Sequence, residues 1–232
     1  MVSKSLIKKA NIDNTLIIIP VYNSELYLNK LLMNLSRLGY LDNVLCVNDG
    51  SLDNSLEIIH NYKCQCIDYS RNMGKGYALK QGFIYAKDKN FNFVITLDSD
   101  LQHKPESIND FFITQNHENA DMVIGYRRFK INTMPISRYL SNKLTSFIVS
   151  IICKKTILDS QSGYRLYNLE LFNPDEIKSN RYQMETEIIL NYVIKKAIIS
   201  YVEIPIIYNN EISHISHLRD IINFIKIILE RV

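Results

Sequence analysis

Phe93-Val94-Ile95-Thr96-Leu97-Asp98-Ser99-Asp100 is the stretch on which the reading of this chain turns. An apolar run of this length suits a strand buried in a sheet, and this one delivers two carboxylates to its end. Carboxylates two residues apart, on a strand end and the loop after it, can share one hard divalent ion through oxygen ligands. Such an ion can in turn hold a diphosphate. Alone, the triplet is also an ordinary solvated turn, so the surrounding sequence has to decide between the two.

Working outward, residues 16–20 (Leu-Ile-Ile-Ile-Pro) form another continuous apolar run, predicted as a strand covered on both faces. Leu28, Leu31, Leu32, Leu35 and Leu38 follow at helical spacing, and Gly39 closes that helix. Residues 44–47 read as a second strand ending in Asn48-Asp49-Gly50-Ser51. A helix from about 53 to 62 leads to a third strand around Cys66-Ile67-Asp68. Next come the loop Asn72-Met73-Gly74-Lys75-Gly76, a helix to about 87, and the strand that ends at Asp98. This strict alternation predicts an α/β fold with a mostly parallel central sheet flanked by helices, at least as far as Gly125. Ligands of such sheets bind beyond the carboxyl ends of the strands. Tyr22, Asn23 and Glu25, then Asp49, Gly50 and Ser51, then Lys75, then Asp98 and Asp100 all fall at that edge.

The second half is less regular. Leu140, Leu144, Phe147, Ile148, Ile151 and Ile152 form one helical stripe, and Leu158-Asp159-Ser160-Gln161-Ser162-Gly163-Tyr164-Arg165 reads as a polar, site-lining loop entering a strand. Glu185 and Glu187 open a further helix, and residues 202–208 alternate around Pro205 as an edge strand does. Without internal repeats or Gly/Pro/Ser-rich linkers, residues 1–232 read as one compact domain. At 47% hydrophobic and 22% charged residues the chain suits a soluble globular core. A net charge of +3 does not point to nucleic acid. Cys46, Cys64, Cys66 and Cys153 lack a CxxC spacing, which predicts buried free thiols in a reducing compartment. No signal-peptide core and no window near ~20 apolar residues is found, so a cytoplasmic location is expected.

Five segments together resemble family 2 glycosyltransferases of the GT-A fold: Ile18-Ile19-Pro20-Val21-Tyr22-Asn23-Ser24-Glu25, Val47-Asn48-Asp49-Gly50-Ser51, Asn72-Met73-Gly74-Lys75-Gly76, Leu97-Asp98-Ser99-Asp100-Leu101-Gln102 and Gln161-Ser162-Gly163-Tyr164-Arg165. Their order and spacing are most similar to the dolichyl-phosphate mannosyltransferase and polyprenyl-phosphate sugar transferase branch, over about residues 16–220. The resemblance implies a GDP- or UDP-sugar donor bound by a half of about 16–126, with the acceptor in about 127–232. It implies that Pro20, Tyr22, Glu25, Asp49 and Ser51 surround the nucleoside, Asp49 accepting a hydrogen bond from the base. Asn48 departs from the many relatives that carry an acid there. By the same resemblance Lys75 faces the phosphates, Asp98, Asp100 and Gln102 are the positions for Mg or Mn, and Asp98 also lies near the donor's ribose. His103 is read as an exposed bystander.

The leaving group gathers negative charge, so cations must meet it. The resemblance makes Arg127 and Arg165 the candidates for bidentate phosphate contact, with Asp100 also catalytic and Arg128 and Lys130 a solvated rim. It implies inversion at the anomeric carbon. A hydroxyl acceptor needs a carboxylate base, for which Asp159 and Glu185 are available. A lipid phosphate needs none and suits the basic residues Arg127, Arg138, Lys143 and Arg165. A polyprenyl phosphate is therefore the leading acceptor. The alternatives are a hydroxyl of a polysaccharide or glycolipid and a non-catalytic nucleotide-binding subunit. A haloacid-type phosphatase also uses Asp-x-Asp, but Gln102 stands where it needs Thr or Val. Residues 218–232 form an amphipathic stripe that either docks on the core or places the protein peripherally at the cytoplasmic face of a membrane.

Overall fold

Strands apolar at both parities, such as Leu16-Ile17-Ile18-Ile19, need cover on both faces, and the computed structural model has helices on each side of a seven-stranded sheet. The structure describes residues 8–128, 136–179 and 183–205. Along the chain run β1 (Thr15–Val21), α1 (Glu25–Arg37), β2 (Val44–Asp49), α2 (Ser55–Asn61), β3 (Gln65–Tyr69), α3 (Lys75–Asp88) and β4 (Phe93–Thr96). They are followed by α4 (Ile108–Glu118), β5 (Met122–Arg127), α5 (Ile136–Cys153), β6 (Arg165–Asn168), α6 (Gln183–Ile194) and β7 (Ile199–Ile204). The expected α/β architecture is present.

The strand order is β3-β2-β1-β4-β6-β5-β7. All neighbours pair in parallel except β6, which runs antiparallel between β4 and β5. This reversal positions the site. Because β6 runs backwards, its first residue, Arg165, pairs with Thr96 at the end of β4, so the loop before it arrives at the same edge as Asp98. Residue parity sorts the two cores. Leu16, Ile18, Leu45, Val47 and Val94 pack against α3, α5 and α6, while Ile17, Ile19, Val44, Cys46, Phe93 and Ile95 pack against α1, α2 and α4. Each such buried side chain contributes roughly 1.5–3 kcal/mol.

Three expectations change in detail. The α5 stripe is not one face: Ile148 and Ile152 turn partly into the core, while Leu140, Leu144, Phe147 and Ile151 face outward. The thiols are free as expected, but Cys64 and Cys66 are only half-buried, because they sit at the β3 edge of the sheet. β7 is an edge strand, displaced toward the N-terminus of the expected range. Lys130, residues 206–208 and the segment 218–232 lie outside the described residues.

Candidate active site

At the carboxyl edge the loops after β1 and β2 hold each other through short polar side chains. The Asn23 N–H donates to Ser51 Oγ at 3.0 Å, the Leu52 N–H to Asn23 Oδ1 at 2.8 Å, and the Ser24 N–H to Ser55 Oγ at 2.8 Å. Glu25 does not merely sit in the first turn of its own helix: its Oε2 accepts from the Asn54 backbone and side-chain amides at 3.0 and 2.9 Å, where α2 begins. Asp53 returns the contact, accepting the Glu25 N–H at 2.9 Å. Burial works to raise the Asp53 pKa, but hydrogen bonds from Ser55 and Glu25 outweigh it and hold the carboxyl below its ordinary value.

Asp49 holds the neighbouring loop. It is 2% exposed, and its two oxygens accept the Met73 and Gly74 N–H groups, each at 2.8 Å. Each oxygen takes one backbone N–H, so Asp49 shapes the glycine loop. Gly50, at φ +71°, lets the two loops meet, since a Cβ there would lie 2.5 Å from the Arg71 carbonyl carbon. Asn48 donates to Asp68 Oδ1 at 2.7 Å and accepts from Ser51 Oγ at 2.5 Å. An acid at 48 would oppose the Asp68 carboxylate, which accounts for the amide. Tyr22, 46% exposed, presents its ring at this rim, and Pro20 lies one residue inside it on β1.

Lys75 opens α3 and reaches into the centre of the edge. Its Nζ lies 2.7 Å from Asp98 Oδ1 and 3.1 Å from Glu185 Oε1. Burial opposes the ammonium charge, but the two carboxylates more than reverse it and hold its pKa well above the ordinary lysine value. Asp98 mirrors this: burial pushes its carboxyl up, Lys75 outweighs burial, and the pKa lies below the usual carboxylate range. Glu185 is buried, and its Oε1 pairs with Lys75. Gly163 roofs the cluster. A Cβ on it would lie 2.8 Å from Asp98 Oδ2 and 3.0 Å from both Glu185 Oε1 and Lys75 Nζ.

The 98–103 turn is held rather than loose. Asp100 Oδ1 accepts the Gln102 N–H at 2.9 Å, and Leu101 between them adopts φ 60°, a left-handed backbone rare for leucine. Ser99 Oγ shares a 2.7 Å hydrogen bond with Ser24 Oγ, tying the turn to the β1 loop. His103 is not exposed: it is 5% accessible, stacks on Tyr164 at 5.0 Å, and its Nδ1 accepts the Asp98 N–H at 3.5 Å. Burial pushes the imidazole pKa down to about 4, so it is neutral near pH 7. Thr96 Oγ1 donates to the Gly163 carbonyl at 2.6 Å and Tyr164 Oη to that of Lys104 at 3.0 Å, so the β6 entry clamps the turn. Among the described residues no three His, Cys, Asp or Glu side chains form a metal-holding group. That donor set fits an octahedral ion taking one or two protein oxygens, with substrate phosphates and water completing the shell. Asp98 at the end of the β4 run and Asp100 and Gln102 in the turn after it are the residues that would offer those oxygens, Asp98 Oδ1 being shared with Lys75.

The two arginines stand in different settings. Arg165 is wholly buried, and its Nε, Nη1 and Nη2 donate to the carbonyls of Ser162, Glu185 and Ser160 at 2.6, 2.7 and 2.9 Å. It binds backbone where phosphate was expected, joining the β6 entry loop to the start of α6. Arg127 forms a bidentate pair with buried Asp159, Nε to Oδ2 at 2.8 Å and Nη2 to Oδ1 at 3.1 Å. Asp159 also accepts the Gln161 N–H at 3.1 Å. In this arrangement both Asp159 oxygens are taken up by Arg127, which makes Asp159 its partner here. Sequence reasoning missed Asp53, Ser55, Ser24 and Ser99, whose contacts carry no local sequence signal.

The pattern of glycosyl transferase family 2 matches residues 16–174. The chain belongs to this family. This glycosyltransferase is 30% identical to an uncharacterized protein of Methanocaldococcus jannaschii over 87% of this chain and 84% of that one. It is 28% identical to the UDP-N-acetylglucosamine–dolichyl-phosphate N-acetylglucosaminyltransferase of Methanococcus voltae, over 82% of this chain and 83% of that one. Among solved structures it matches glucosyl-3-phosphoglycerate synthase from Mycobacterium tuberculosis, in complex with Mn2+, uridine diphosphate and glucosyl-3-phosphoglycerate. The TM-score is 0.71 at 16% identity, over 94% of this chain and 79% of that one, a likeness of fold.

Proposed function

We propose that the chain transfers a sugar from a GDP- or UDP-sugar to a polyprenyl phosphate, with inversion. The observation that carries this choice of acceptor is the state of the two carboxylates available as a base. Asp159 is paired with Arg127 at 2.8 Å, and Glu185 with Lys75 at 3.1 Å. A hydroxyl acceptor needs one of them free to take its proton, whereas a phosphate arrives already ionised. The name of the Methanococcus voltae relative supports the same reading.

In this reading the nucleoside lies along the Tyr22 rim and the diphosphate near Lys75. A divalent cation held by Asp100 and Gln102, with Asp98 beside them, would neutralise charge on the departing diphosphate. Arg127, steadied by Asp159, sits at the end of β5 on the acceptor side, where it can meet the incoming phosphate. Arg165 acts from behind, as a positioning residue. The test is product linkage: the purified chain is given each nucleotide sugar with Mn and a short polyprenyl phosphate, and the product is treated with mild acid. A sugar phosphodiester releases its sugar under these conditions. An acid-stable glycoside on a hydroxyl acceptor would replace this reading with its alternative.

A further inference from the structure

A helix packed on a sheet buries one side and shows polar residues on the other. α5 departs from that rule. Its inner side buries Val149 and Cys153, yet its outer side presents Leu140, Leu144, Phe147 and Ile151, each between 57% and 62% exposed. Their spacing confines them to one stripe about 60° wide at 100° per residue. Leu158, just past the helix, is 43% exposed as well.

The charge around this stripe is one-sided. Residues 136–158 contain Arg138, Lys143, Lys154 and Lys155, four of the chain's 27 Lys and Arg, and none of its 24 Asp and Glu. The net charge of +3 therefore resides in this segment, and the rest of the chain is slightly acidic. Lys143, Lys154 and Lys155 are exposed. No described helix is long and apolar enough to cross a membrane, so the stripe suits a helix lying along a surface.

We infer that the outer face of α5 docks this protein on an anionic lipid surface, the apolar stripe entering the headgroup boundary and the lysines meeting lipid phosphates. A second copy of the chain is the poorer occupant. A two-fold contact through α5 would bring together two copies of a segment, residues 136–158, that carries a charge of +4 and holds no Asp or Glu. Anionic headgroups answer them directly, and apolar burial with charge attraction is what holds interfacial helices. The helix also lies next to the site. On its inner side Ser146 Oγ accepts the Ser160 N–H at 3.0 Å, one residue from Asp159, so the docked face is one helix away from the Arg127–Asp159 pair. The benefit of that closeness rests on the lipid-phosphate acceptor proposed above; the exposure and the charge do not.

The experiment is flotation of the full chain with phosphatidylcholine vesicles, with and without phosphatidylglycerol, comparing wild type with Phe147→Asp and with Lys154→Glu. The wild type should float only with anionic vesicles and release at high salt. Each variant should lose about tenfold in bound fraction. Both should keep the melting temperature and the transfer to a short water-soluble polyprenyl phosphate. A wild type that never floats, or variants that float as well as it does, would overturn the docking. So would a dimer in sedimentation equilibrium that Phe147→Asp dissolves, since the face would then be a self-interface. Flotation without transfer to the short acceptor would leave the docking standing and remove the acceptor reading alone.

Discussion

On the β1–β4 side of the site, short polar side chains grip backbone N–H groups in the neighbouring loop, as Asn23, Ser51, Asp53 and Asp49 do. On the β5–β6 side, long charged side chains reach from one element to another: Arg165 from β6 to α6, Arg127 from β5 to the loop ahead of β6. The first arrangement shapes loops that surround a ligand. The second braces a wall around buried Arg165 and Asp159, so removing one partner leaves buried groups unsatisfied. The two sides should therefore answer mutation differently, with stability reporting on the wall and ligand affinity on the rim.

The largest effect is expected at Arg165. Arg165→Met would orphan the carbonyls of Ser160, Ser162 and Glu185, at a cost of about 3–5 kcal/mol. Arg165→Lys, one nitrogen in place of a three-nitrogen fork, should recover only part of it. Urea unfolding measures both. Were Arg165→Lys to unfold with the wild type while turnover collapsed, the arginine would face substrate after all, and the contrast between wall and rim would be lost.

These two sides also mark how far the sequence could be read. The alternating apolar runs announced the parallel strands, and the acids at their ends announced the edge, because both are local patterns. The antiparallel entry of β6 between β4 and β5 was not legible. Nothing in Ser162-Gly163-Tyr164-Arg165 states its partner strand, and that partner decides whether the arginine faces phosphate or is enclosed by carbonyls. His103 was misread for the same reason. Its neighbour is Tyr164, far along the chain. The hold of Asp49 on the Met73 and Gly74 N–H groups was not legible either, because a carboxylate looks the same in sequence whether a base or a backbone N–H meets it.

A middle-sized effect, with a pH signature, is expected where the two sides meet, at Lys75. Lys75→Met removes the cation shared by Asp98 and Glu185 and should cost about 2–3 kcal/mol at pH 7, measured in chelator. The sign follows from the shifts. Asp98, depressed when folded, contributes stability that is present above the unfolded carboxylate pKa of about 3.9 and is lost as pH falls through the folded value. Lys75, raised when folded, contributes stability present below the unfolded lysine pKa of about 10.4 and lost only above its folded value. The gap between wild type and variant should be widest between about pH 4 and 10 and narrow in acid. A gap that stays constant down to pH 3 would mean that the ion pair is not what stabilises this cluster.

The smallest effect, and the one that sharpens the comparison most, is expected at Asp49. An asparagine keeps one acceptor oxygen for Met73 or Gly74 and turns an amide N–H toward the other backbone N–H, so one hydrogen bond is lost and two donors oppose each other. The expected cost is about 1–2 kcal/mol, a fall in melting temperature of roughly 3–6 °C for a chain of this size. Gly74, one of the two held residues, caps α3 directly before Lys75, so a loosened loop presents the lysine less well. Asp49→Asn should therefore weaken uridine and guanosine diphosphates alike, with the ratio of their Kd values within about twofold of wild type. A base-reading Asp49 makes the opposite forecast: an unchanged melting temperature and a changed ratio, because a carboxylate and an amide accept from different base edges. Calorimetric titration of both nucleotides, with the melting curve of the same sample, separates a residue that builds the rim from one that reads the ligand.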